Sequence, residues 1–106
     1  MSKYCVIKTT FNKKSEAKKI AKILLEERLV ACAQISTVES IYSWQGKLVS
    51  EKEFLLELKT KSSFYLKVEK MILKFHSYKV PQIVALPIDN ALKAYGAWIE
   101  TALKNN

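Results

Sequence analysis

The sequence predicts an α+β domain of order β-α-β-β-α-β, closed by one more helix at its C-terminal end. Three observations carry this. Segments with strand composition recur at Tyr4–Thr10, Leu29–Trp44, Leu48–Thr60 and Ile83–Ile88. Stretches with apolar residues three and four apart separate the first strand from the second and the third from the fourth. The interior turn signal, Gln45-Gly46-Lys47, joins the middle two into a long hairpin. A length of 106 residues fits one domain, 1–106. Such a chain buries roughly 65% of the surface it exposes when unfolded. With 49% hydrophobic and 26% charged residues, general disorder is excluded.

Tyr4–Thr10 (YCVIKTT) is β-branched and aromatic, and Asn12 is placed to cap the helix that follows. Ala17, Ile20, Ala21, Leu24 and Arg28 fall on one face of that helix, with Lys14, Lys18 and Lys22 on the other. These like charges repel by a few tenths of a kcal/mol per pair, so packing must hold the helix. Leu29–Ile35 is a strand apolar on both faces apart from Gln34. It continues through Thr37–Trp44, with Ser40, Tyr42 and Trp44 on one side by alternation. In the third strand Phe54, Leu56 and Leu58 face one way, and Glu53, Leu55, Glu57 and Lys59 the other. Ser62 or Ser63 caps the next helix, whose stripe is Phe64, Val68, Met71, Ile72 and Phe75. His76-Ser77-Tyr78-Lys79 ends it, and Pro81 lies beyond. Ile83–Ile88 is again apolar on both faces. Asp89 or Asn90 then caps a helix that turns Leu92, Tyr95, Ile99, Ala102 and Leu103 inward.

This is the split β-α-β, ferredoxin-like order, an antiparallel sheet with helices on one face. An open face in water should alternate cleanly between apolar and polar. The second and fourth strands do not, so the open side needs a cover. The last helix covers part, and another copy of the chain the rest. A long hairpin with unpaired edges also invites pairing with a second chain. An oligomer is expected.

A net charge of +8, from 18 Lys and Arg against 10 Asp and Glu, raises nucleic acid as a partner. The basic residues are dispersed with no block of five, which reads as a solvated coat. RNA binding by a ferredoxin-like domain is the alternative function. Against it, the third strand carries Glu53 and Glu57 where an RNA-recognition strand places basic and aromatic residues. Nucleic acid is therefore not expected as a partner. A membrane is not expected either, since no apolar run reaches the ~18–20 residues of a span. An acylphosphatase-like enzyme is disfavoured because Arg28 is the lone arginine and no glycine-rich anion loop precedes the first helix. No enzymatic activity is expected. Met1-Ser2-Lys3-Tyr4 enters a strand without the apolar stretch of a secretory signal, and two cysteines make no disulfide framework, so a cytoplasmic location is expected.

A tight transition-metal site needs three or four converging ligands. One histidine and two cysteines are a poor supply. His76 sits at a helix end, where the dipole favours a cationic imidazole, and reads first as a cap and second as a metal ligand. Cys32, in a run of small apolar residues, reads first as packing and second as a ligand. A Cys5–Cys32 disulfide is not expected, because the third strand lies between the two. Glu53, Glu57 and Lys59 read as ion pairing rather than acid–base machinery.

Several segments together resemble one family. Leu29-Val30-Ala31-Cys32-Ala33 is similar to the Leu-Ala-Ala-Cys segment of the CutA divalent-cation tolerance proteins. Ser40 to Lys47 (SIYSWQGK) resembles their Ser-x-Tyr-x-Trp-x-Gly-Lys hairpin, and Glu53 to Thr60 (EFLLELKT) their Glu-x-x-Leu-x-x-Lys-Thr strand. His76 to Pro81 (HSYKVP) with Leu86-Pro87-Ile88 resembles the His-Pro-Tyr-x-x-Pro and Leu-Pro-Ile signature, and Tyr95 with Trp98-Ile99 the aromatic pair of the last helix. The resemblance implies a ferredoxin-like subunit forming a tight homotrimer through its hairpins, like the PII proteins. It also implies a cytoplasmic role in tolerance of copper and other divalent metals. Ser77, Lys79, Ser43 and Gln45 depart from the usual pattern. Thr9 and Phe75 stand where some members carry a cysteine and a second histidine linked to copper. Residues and resemblance together single out His76 and Cys32 as metal candidates. Tyr42, Trp44, Gly46, Glu53, Lys59, Tyr78 and Trp98 are the interface or pocket residues. No cofactor is required; Cu(II) or another divalent cation would bind labile and weakly.

Overall fold

A computed structural model describes residues 2–105. The elements are β1 (Tyr4–Phe11), α1 (Lys14–Glu26), β2 (Cys32–Trp44), β3 (Lys47–Lys61), α2 (Tyr65–Phe75), β4 (Ile83–Ile88) and α3 (Lys93–Ala102), with a 3-10 turn Ser62–Phe64 leading into α2. The sheet runs β2-β3-β1-β4, with every pair antiparallel. This is the expected α+β, ferredoxin-like order with an extra C-terminal helix.

Alternation divides the sheet into two faces. Cys5, Ile7, Phe11, Leu56 and Leu58 point to the side of α1 and α2 and form one core with Ala17, Ile20, Leu24, Phe64, Val68 and Ile72. Tyr4, Cys32 and Lys59 point to the other side, where α3 lies. Gly96 of α3 meets the Tyr4 ring closely, a built Cβ coming within 3.3 Å of it. α3 covers only that end. Farther along, Val84 and Leu86 of β4 stay 43% and 45% exposed. Lys8 pairs with Glu57 at 3.7 Å, and Lys59 donates to the Gln34 side chain at 2.9 Å.

Several local expectations are corrected. None of the three helices has a side-chain N-cap: the capping positions are Lys13, Phe64 and Leu92. Ser62 is otherwise engaged, its hydroxyl donating to the Ser2 carbonyl, and Asp89 accepts from the Ser2 hydroxyl. Leu29–Ala31 precedes β2 as a buried connection rather than strand. Leu92 is 76% exposed, not inward. Arg28 does not join the buried stripe of α1. Its backbone is left-handed (φ 55) and its guanidinium donates to the carbonyls of Thr101, Ala102 and Leu103 at 3.0–3.2 Å. A cationic fork on the last carbonyls of α3 satisfies acceptors that have no partner within the helix.

β2 and β3 pair along their full length, Cys32 opposite Lys59 and Trp44 opposite Lys47. The register of β1 on β3 stops at Phe11 opposite Phe54, so the hairpin beyond Phe54 overhangs the sheet. Its two-residue turn has Gln45 and Gly46 at φ 51 and 78, the left-handed pair that matches strand twist.

Candidate functional site

The segment after α2 carries the chain from the helix layer around the end of β1 to the opposite face. His76 starts that passage, and its side chain is fully buried, 0% exposed. The ring stacks on Phe11 at 4.2 Å between centroids and lies 4.9 Å from Tyr78. Nδ1 accepts from the Tyr78 backbone N–H at 3.0 Å, which leaves the proton on Nε2 to be donated to the Thr10 carbonyl at 2.9 Å. Both nitrogens are therefore occupied in a neutral ring. Burial lowers the imidazole below its ordinary range, against the opposing influence of the Thr10 carbonyl and of Glu16 and Glu53. The expectation of a cationic cap is thus corrected: desolvation outweighs the helix dipole here.

On the far face Tyr78 donates to Glu53 at 2.7 Å. Glu53, read from sequence as ion pairing beside Lys59, is instead buried at 6% exposure and held by this hydrogen bond. Burial first, and the bond to Glu53 second, push the Tyr78 hydroxyl far above the ordinary tyrosine range. Tyr42 donates to Glu51 at 2.7 Å, and that bond raises the Tyr42 hydroxyl as well. Tyr42, Trp44, Glu51, Glu53 and Tyr78 line one open cleft of about 910 Å³ between the base of the hairpin and the loop before β4. Four of the expected residues thus meet there. Glu51 was missed, though it shares the strand alternation of Glu53 and faces the same way.

Lys59 and Trp98 belong elsewhere. Trp98 stacks on Tyr95 at 5.6 Å, and the Lys59 ammonium lies 5.8 Å from the Tyr95 ring. Cys32 Sγ sits 3.8 Å from the Tyr95 hydroxyl. Burial raises that hydroxyl first, and the contact with Cys32 second. Gly46 lies in the turn, away from both groups. His76 and Cys32 do not form a metal pair. Cys32 is level with Lys59 and Val6 across the sheet, while His76 is bonded to Thr10 four residues further along β1. At ~3.3 Å per residue that is roughly 13 Å of strand. Both cysteines are free thiols with β3 between their strands, as expected, and since they oppose the adjacent residues Thr60 and Lys59 they also lie on opposite faces of the sheet.

A sheet of order β2-β3-β1-β4 with two helices on one face, a third on the other and a hairpin that overhangs one end defines a ferredoxin-like α+β domain of the long-hairpin kind. Comparison with known proteins makes this specific. The family model described as "CutA1 divalent ion tolerance protein" matches residues 5–102. The divalent-cation tolerance protein CutA of Thermus thermophilus is 41% identical over 95 residues, 89% of this chain and 92% of that protein. The structure of the periplasmic divalent cation tolerance protein CutA from Archaeoglobus fulgidus superposes with a TM-score of 0.92 at 36% identity, covering 95% of this chain and 99% of the other. CutA1 from Oryza sativa gives 0.93 at 30% identity, covering 99% and 97%. The chain belongs to the CutA1 divalent ion tolerance family.

The buried imidazole has a consequence for acid stability. Its folded pKa lies below its unfolded value of about 6.5, so the unfolded chain takes up the proton first as pH falls. The contribution is complete above about pH 6.5 and is lost below it. Urea midpoints should therefore fall between about pH 8 and about pH 5, and the drop should be smaller in His76→Asn. An equal drop in both would place the acid sensitivity on other groups.

Proposed function

We propose that this chain serves divalent-metal tolerance as a homotrimeric binding protein, holding copper, another divalent cation or a small ligand weakly at clefts shared between subunits. The overhanging hairpin carries the reading. Ile41, Trp44 and Leu48 stand 67%, 62% and 83% exposed on it, more apolar surface than a lone subunit normally leaves in water. β2 and β4 end the sheet, and each has an edge that a second copy can pair. A shared site is supported by the supply of ligands. Among the described residues no three His, Cys, Asp or Glu side chains group closely enough to hold a metal ion. A tight resident transition metal therefore does not fit one subunit. Glu51 and Glu53 in the cleft are donors that a neighbouring chain could complete, and a cation so held would exchange readily. The role is binding rather than turnover, since both ring nitrogens of His76, the lone imidazole, are occupied by internal hydrogen bonds. The location is cytoplasmic, where two free thiols stay reduced, although the Archaeoglobus fulgidus relative is described as periplasmic.

Native mass spectrometry with and without Cu(II) tests assembly and metal together. The expected species has three times the 12.2 kDa subunit mass, with copper that a chelator strips. A monomer at micromolar concentration would overturn the assembly. Copper that survives the chelator would overturn the weak, shared site.

A further inference from the structure

We propose that the outer face of the α1–α2 layer docks on a lipid bilayer carrying anionic headgroups. In sequence the lysines are dispersed, and no block of five occurs. Folding packs α1 beside α2 and brings Lys19 and Lys74 to the same Phe75 ring. Lys18, Lys19 and Lys22 of α1 and Lys67, Lys70 and Lys74 of α2 are all exposed. Among the described residues none of the six has a carboxylate within salt-bridge distance. Two nearby acids are turned to other work: Glu16 accepts from Ser77, and Glu69 accepts from the Tyr65 hydroxyl, while the exposed Glu26, four residues after Lys22, pairs with none of the six.

What selects a bilayer over any other polyanion is the apolar half of the same surface. Leu66 and Leu73 are 72% and 51% exposed. With Lys70 they fall at i, i+4 and i+7, so they share one side of α2. Phe75 is 36% exposed at the end of that helix, with the ammonium groups of Lys74 and Lys19 at 5.5 and 5.9 Å from its ring. An exposed basic face that also presents leucine and phenylalanine side chains combines the two ingredients of interfacial binding, attraction to anionic lipid and burial of apolar groups. A nucleic-acid backbone would use the lysines and leave both leucines in water. Base stacking would need an open aromatic face, and the one exposed ring here is flanked by lysines. No helix among the described residues is long and apolar enough to cross a membrane, so contact would be peripheral.

The test uses the full chain and sedimentation with vesicles. Phosphatidylcholine vesicles containing about 30% phosphatidylserine should bind it at low salt, and pure phosphatidylcholine should not. Each lysine near an anionic surface is worth about fivefold in affinity, so Lys70→Glu with Lys74→Glu should weaken binding by at least about 25-fold. Leu66→Ser with Leu73→Ser keeps the charge and should weaken binding about tenfold. Since all four side chains are exposed, circular dichroism should match the wild type, and the leucine pair alone decides if the charge reversal fails to fold. Binding that ignores phosphatidylserine overturns the proposal. So does a leucine variant that binds as the wild type does, or release of the protein from vesicles by substoichiometric single-stranded RNA, which would assign the face to nucleic acid.

Discussion

His76→Ala is expected to cost about 3 kcal/mol of stability, read as a lower urea midpoint at fixed chain concentration. The ring is fully buried and stacked on Phe11 at 4.2 Å, so its removal leaves a cavity against the end of β1. Truncation also strands the Thr10 carbonyl and the Tyr78 N–H, each of which then needs a new partner. His76→Phe separates the two contributions. It restores the stack but not the hydrogen bonds, and should recover roughly half of the loss. A change of less than about 0.5 kcal/mol in His76→Ala would show that the loop is not held through this ring.

Tyr78→Phe is expected to cost about 2 kcal/mol, because it removes the hydrogen bond at the buried Glu53 carboxylate. Adding Glu53→Gln should return part of that loss, since an amide is cheaper than an unpartnered carboxylate to keep buried. Additive effects in the double variant would mean that the two groups act independently. The same pair of variants should loosen the base of the hairpin, because Glu53 stands where β3 leaves the support of β1.

The strands, the hairpin and the terminal helix were legible in sequence because strand composition, a glycine turn and helical spacing each leave a local signal. Ile83–Ile88 shows this most simply, matching β4 at both ends. The helix starts were not legible. Asn12, Ser62 and Asp89 are all good capping residues, but Ser62 and Asp89 are bonded to the segment before β1, a contact that no local pattern reports. The ion-pair reading of Glu53 failed for a related reason. Its side-chain direction was correct, but alternation cannot foresee that Tyr78 folds over that face and buries it. The cleft was half legible. Tyr42, Trp44, Glu53 and Tyr78 came from motif resemblance, whereas Glu51 needed the register. Cys32 and His76 were separable only with the strand order and the His76 hydrogen bonds in view. The physics of the imidazole turned on burial, which a helix-end argument does not contain.

The grip of Arg28 on α3 bears on how the polypeptide is made. Its acceptors lie 73 to 75 residues downstream, so on a translating ribosome the guanidinium emerges long before anything it can hold. β1, α1 and the hairpin can collapse on one another in that interval. Tyr4, Cys32 and Lys59 meanwhile form a bare half of the sheet, next to an apolar hairpin of the kind that sticks to nascent neighbours. Only when α3 has been synthesised can it dock there and Arg28 lock its last turn. The exposure of that half of the sheet is therefore confined to a window of biosynthesis, and one arginine marks when the window closes.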